Sequence, residues 1–134
     1  MIEEDARLAA VEDDLGVHLS RYGLWTLGSL YALGGLVGGP ITGISAMAYL
    51  GLEPATASIV GGVIAVSAIA LGTVLGLVHF VTAWGLADGK RWAWMSTLAL
   101  AALTGLWGCL PIMGLFLWGM LNDRTRSLFR LTES

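Results

Sequence analysis

The chain has 134 residues, of which 56% are hydrophobic and 13% charged, with a mean hydropathy of +0.76 and a formal net charge of −3. The charged share is about half that of soluble domains, and a chain this short has no core able to hide such long apolar runs. A soluble fold is thereby excluded, and the few dispersed cations argue against a nucleic-acid partner.

The first fourteen residues hold Glu3, Glu4, Asp5, Glu12, Asp13 and Asp14, more than half of the ten acids. A secretory signal peptide needs a basic start, so no cleaved leader is expected. Residues 3–21 read as an amphipathic helix, with Leu8, Val11, Leu15, Leu19 and Tyr22 recurring every three or four positions along one stripe. Its acidic face would be repelled by anionic headgroups. Two readings stay open: a solvated leader with a weakly docked stripe, and a helix that docks on protein. Residues 1–21 are taken as an acidic amphipathic segment and residues 22–122 as a transmembrane helical bundle.

Residues 22–52 form the first apolar segment, about 46 Å long as a straight helix against a hydrocarbon core of about 30 Å. Pro40, after Gly38 and Gly39, is expected to kink it by freeing the Leu36 carbonyl. The string Glu53-Pro54-Ala55-Thr56 carries no Lys or Arg and reads as an extracytoplasmic loop. A second span over residues 57–86 then leads to Asp88-Gly89-Lys90-Arg91-Trp92. Paired cations among Trp84, Trp92 and Trp94 mark that turn as cytoplasmic, because basic loops stay inside and Trp gathers at headgroup depth.

Residues 92–121 are read as two short helices joined at Gly108-Cys109-Leu110-Pro111, since Gly closing one helix and Pro opening the next is the favoured order. Trp107 would anchor the tip and Trp118 the other end. The arms would be about 24 and 17 Å long, so this hairpin need not fully span. It returns Arg124, Arg126 and Arg130 to the side of Lys90 and Arg91, with residues 123–134 as a cytoplasmic basic tail. The expected fold is therefore an all-α membrane protein: an N-terminal amphipathic helix, two long transmembrane helices and a short C-terminal helical hairpin.

Each span carries small residues at helical spacing: Gly28, Ala32, Gly35, Gly39, Thr42 and Ala46; Ala65, Ala68, Gly72, Gly76, His79 and Ala83; and Ala93, Thr97, Ala101, Thr104 and Gly108. Small faces allow close backbone approach, which is how helices associate in lipid. They fit packing within one chain, and also contact with other subunits. Gly28, Gly35, Gly39, Gly72, Gly76 and His79 are the candidate packing residues; Lys90, Arg91, Arg124 and Arg126 are the topology markers. His79 is the one ionisable side chain well inside a span, a position open to a proton or ligand role and equally to a structural hydrogen bond. His18, His79 and Cys109 lack metal-ligand spacing. The single cysteine forms no intrachain disulfide. Gly34-Gly35-Leu36-Val37-Gly38-Gly39 follows no strand and precedes no Lys-Ser/Thr pair, so it is no phosphate loop.

The strings Gly85-Leu86, Gly89-Lys90-Arg91-Trp92-Ala93, Pro111-Ile112-Met113-Gly114, Leu117-Trp118 and Arg126-Ser127-Leu128-Phe129 resemble a pattern in small uncharacterised bacterial four-helix inner-membrane proteins. The resemblance covers residues 85–130, and Met113 departs from the pattern by separating the Pro-Ile break from its glycine. It implies an inner-membrane protein with both termini cytoplasmic, and implies no activity. The sequence thus leads to a non-catalytic integral membrane subunit, needing no cofactor or metal. It would pack by small-residue faces in a larger or self-assembled complex. The alternative is a homo-oligomeric channel or pore gated by dewetting.

Overall fold

The computed structural model describes residues 2–106 and 110–130. These form seven α-helices: α1 (Ile2–Glu12), α2 (Leu15–Leu33), α3 (Gly39–Tyr49), α4 (Pro54–Ala87), α5 (Arg91–Leu106), α6 (Leu110–Leu121) and α7 (Asp123–Arg130). A π-helical turn, Gly34–Gly38, joins α2 to α3, and the described residues include no strand. The fold is all-α. Two helical stretches, Leu15–Tyr49 with 35 residues and Pro54–Ala87 with 34, are long and apolar enough to cross a membrane.

The chain divides into two compact units: Leu27–Val78, and a second made of Met1–Thr26 with His79–Ser134. In the first, here the hairpin unit, the π-turn and α3 run against the first part of α4. The chain reverses over Leu50, Gly51, Leu52 and Glu53, slightly before the loop expected at residues 53–56. Gly51 takes a φ of +58°, which a side chain would resist, and Pro54 opens α4 because its fixed φ suits a first helical position. Upstream, the irregularity expected at Pro40 is absorbed one turn earlier. The π-turn lies directly N-terminal to Pro40, and the Gly39 N–H bonds the Gly35 carbonyl.

The second, terminal unit holds α1, the start of α2, the end of α4, and α5 to α7. Its core includes Val11, Val17, Leu24, Ala83, Leu86, Ala93, Leu100, Phe116, Met120 and Phe129. Helices α5 and α6 lie against each other, and the Trp94 indole N–H donates to the Met120 carbonyl at 3.0 Å. The joining residues Trp107, Gly108 and Cys109 lie outside the described residues. So does the end of the chain beyond Arg130.

One sequence expectation is corrected here. The N-terminal segment is not one helix over residues 3–21: it breaks at Asp13 and Asp14, and α2 starts afresh at Leu15. The restart rotates the packing face. Gly16, Val17, Ser20 and Leu24 point inward, while Leu15, Leu19 and Tyr22 are exposed. The inner face of α2 thus combines the small residues Gly16 and Ser20 with Val17 and Leu24. Within the stretch read as a basic tail, residues 123–130 form a helix. Asn122 caps it: its carbonyl accepts the Arg126 N–H at 2.9 Å, and its side-chain oxygen lies 3.4 Å from the Arg124 nitrogen.

Candidate functional site

Within the hairpin unit, the glycines of the first two small-residue stripes meet backbone to backbone. A methyl added at Gly72 would lie 2.6 Å from the Tyr31 carbonyl oxygen and 2.7 Å from the Gly35 Cα. One added at Gly76 would lie 2.9 Å from the Gly28 oxygen, and one at Gly39 would lie 2.9 Å from the Ala65 oxygen. Gly43 meets Gly61 in the same way, and it takes the inner position in place of the exposed Thr42. These faces are engaged inside the chain. What the unit turns outward is Leu30, Leu33, Leu36, Ile41, Ile44, Val63, Val66, Leu71, Val74 and Leu77.

The third stripe lies in the terminal unit, where Ala93, Thr97, Ala101 and Thr104 are all buried. The two threonines donate to carbonyls four residues back, Ala93 at 2.8 Å and Leu100 at 2.7 Å, so their hydroxyls can face a dry seam. His79 and Thr82 are buried as well. Gly23 lies against the Phe116 ring, and Gly16 against the Gly119 backbone. The Ser20 hydroxyl, wholly buried near Gly119, has no hydrogen-bond partner among the described residues.

One end of this unit collects the charged groups. Helix α4 closes with the Gly89 φ at +64°, the Lys90 N–H on the Gly85 carbonyl at 2.9 Å and the Gly89 N–H on the Leu86 carbonyl at 3.0 Å. This pair of bonds is a Schellman cap, which satisfies carbonyls that the helix end would leave open. Lys90 pairs loosely with Asp88 at 3.6 Å, both well exposed, a contact of little weight. Asp14 carries more. Only 3% exposed, its Oδ1 accepts from the Val17 N–H at 3.1 Å, capping α2, and from the buried Thr125 hydroxyl at 2.8 Å. Arg124 reaches its Oδ2 at 3.7 Å from a position 72% exposed. The acidic segment, read from the sequence as repelling lipid, therefore anchors α7 through one buried carboxylate.

Beside this anchor, Arg91 and Trp94 of α5 and Arg126 and Phe129 of α7 line a cleft of about 190 Å³. The four topology cations thus meet in one region: Lys90 at the turn, Arg91 and Arg126 on the cleft, Arg124 on Asp14. A second hollow, of about 290 Å³, includes Val11, Glu12, His18 and Arg21 with Ala87 and Asp88, which places the N-terminal segment at the same end as the turn.

Sequence reasoning missed Asp14 and Thr125 as partners. A cap signal was present for Asp14, before the run Leu15-Gly16-Val17, and for Asn122, before α7. Their pairing across the chain had no signal. Among the described residues no group of three or more His, Cys, Asp and Glu side chains could hold a metal ion. No protein-family model, no curated protein and no solved structure matches the chain.

Proposed function

We propose that this chain is a non-catalytic integral subunit of a bacterial inner membrane, with its termini and the Lys90-Arg91 turn on the cytoplasmic side. The observation that carries this reading is the inverted distribution of side chains. Glycine, alanine, serine and threonine fill the seams, while Leu, Ile and Val stand on the surface of both long apolar stretches. In water such a surface would be an aggregation liability. In lipid it is the expected arrangement.

The orientation is supported by the charged end of the terminal unit. Arg91 and Arg126 share one cleft, and Asp14 bonds Thr125, so the N-terminal segment, the basic turn and α7 lie at one level. Placing that level in the cytoplasm obeys the positive-inside rule and leaves Glu53, in a loop without Lys or Arg, on the far side. The hairpin of α5 and α6 has arms of about 24 and 18 Å, short of a 30 Å core. It is held in place by the Gly23–Phe116 and Gly16–Gly119 contacts.

With its small-residue seams engaged internally, the chain meets partners through its outward aliphatic and aromatic faces. Thiol labelling in intact cells tests the orientation, using Ser127→Cys and Glu53→Cys in a Cys109→Ala background. Glu53→Cys should react from outside and Ser127→Cys only after permeabilisation; the reverse pattern overturns the topology. Mass measurement in mild detergent tests the subunit role. Co-purifying foreign subunits support it, and a symmetric ring of this chain alone favours a pore.

A further inference from the structure

We propose that the shallow groove beside the turn from α4 to α5 seats a zwitterionic phospholipid headgroup that carries a primary ammonium, as in phosphatidylethanolamine, a proposal that rests on the membrane reading above. The groove, of about 240 Å³, is lined by Val81, Trp84 and Gly85 of α4, Asp88 and Lys90 of the turn, and Trp92 of α5. Val81, Trp84 and Asp88 stand at positions i, i+3 and i+7, so they follow one face of the helix into its cap, and all three are exposed. The order along that face is aliphatic, aromatic, charged. A lipid presents the same order from acyl chain through glycerol to headgroup, and Trp gathers at that depth.

Local backbone geometry builds the groove. The Gly89 φ of +64° turns the chain back and the Lys90 N–H bonds the Gly85 carbonyl at 2.9 Å, so α5 restarts against the last turn of α4. The Trp92 ring then lies across Gly85, where an added methyl would stand 2.5 Å from its Cζ2 atom. The bare backbone at Gly85 is what admits a second indole to the groove. Two indoles offer π faces to a cation and N–H groups to phosphate or ester oxygens.

The charges select the occupant. Asp88 and Lys90 meet at 3.6 Å with side chains 49% and 55% exposed, a pair that opens at little cost. A zwitterion replaces that pair with two contacts, its ammonium on Asp88 and its phosphate on Lys90. An anionic headgroup would meet Lys90 but be repelled by Asp88. A quaternary ammonium would find the π faces but has no N–H for the carboxylate. A primary ammonium serves both, the carboxylate through charge-assisted hydrogen bonds and the indoles through cation–π attraction.

The test is native mass spectrometry of the full chain in mild detergent, titrated with phosphatidylethanolamine, phosphatidylcholine and phosphatidylglycerol of matched acyl chains. The wild type should retain phosphatidylethanolamine ahead of the other two. Asp88→Asn should weaken that binding about fivefold and erase the lead over phosphatidylcholine. Asp88→Glu keeps the carboxylate and should keep the lead, which separates loss of charge from loss of fold. Trp84→Leu keeps apolar bulk without the indole face and should weaken both amine lipids about threefold. Trp118→Leu, at an exposed tryptophan outside the groove, should change nothing. Equal retention of the three lipids by the wild type, or an undiminished lead in Asp88→Asn, overturns the site. A lead for phosphatidylglycerol overturns the zwitterion as occupant, and displacement by millimolar phosphoethanolamine overturns a bilayer lipid as its source. Recovery of the chain in the aqueous fraction without detergent would instead sink the membrane reading, an outcome distinct from loss of lipid preference in a membrane-bound chain.

Discussion

Replacing the carboxylate of Asp14 probes the only described side-chain to side-chain hydrogen bond that ties the N-terminal segment to α7. Its Oδ1 accepts from Val17 N–H at 3.1 Å and from Thr125 Oγ1 at 2.8 Å, with Asp14 3% and Thr125 0% exposed. Asp14→Ala removes an N-cap, costing about 1 kcal/mol, and a buried bond to a charged acceptor, about 1.5–3 kcal/mol. Together these predict roughly 2.5–4 kcal/mol for the terminal unit. Thr125→Val keeps shape and loses only the second term. Asp14→Asn keeps the cap but makes the bond to Thr125 neutral, at roughly half the strength. The Arg124 contact is left out of the sum because that side chain is 72% exposed. The assay is SDS-induced unfolding in detergent micelles, followed by helical circular dichroism, for Asp14→Asn, Thr125→Val and the double variant. A coupling of about 1 kcal/mol between the two sites is expected. Additivity within about 0.5 kcal/mol would refute the reasoning, because independent sites add to that precision.

A pair of glycines on α4 should respond in opposite directions to the same change. Gly72→Ala drives a methyl into the Tyr31 carbonyl and Gly35, costing about 1–3 kcal/mol, while Gly62→Ala meets open space and gains up to about 1 kcal/mol of helix propensity; equal shifts in unfolding midpoint would refute the seam. Ser20→Ala removes a buried hydroxyl without a partner among the described residues and should be neutral or stabilising by the same assay, whereas a loss beyond about 1 kcal/mol would show that the hydroxyl is satisfied. Gly89→Ala forces a side chain into a left-handed φ of +64° and should cost about 1–2 kcal/mol, read as a lowered thermal midpoint. His79→Gln retains hydrogen-bonding capacity but not titration, so assembly in membranes, read by crosslinked or native mass, should stay near wild type; loss of assembly in a folded chain would assign His79 a chemical role.

Hydropathy and turn chemistry carried the element-level reading from residues alone. Two long apolar stretches, the turn at residues 88–92 and the short pair α5 and α6 follow from local pattern, because hydropathy and Gly/Pro placement are local signals. Small-residue spacing also marked Gly35, Gly39, Gly72 and Gly76 before their contacts were known, since only residues without bulk allow two backbones to touch. Which face turns inward was a different matter. The stripe of Leu15, Leu19 and Tyr22 has the periodicity of a buried face and lies outside, because periodicity states that two faces differ, not which solvent each meets. Asp14 was legible as an acid and as a cap, but its bond to Thr125 joins residues 111 positions apart. The meeting of Arg91 with Arg126 across one cleft is of the same kind. Pairings over such distances are set by how helices dock, and docking depends on every side chain in the seam at once. Local sequence determined the helices and the residues able to pack closely; the tertiary structure alone decided which charges meet.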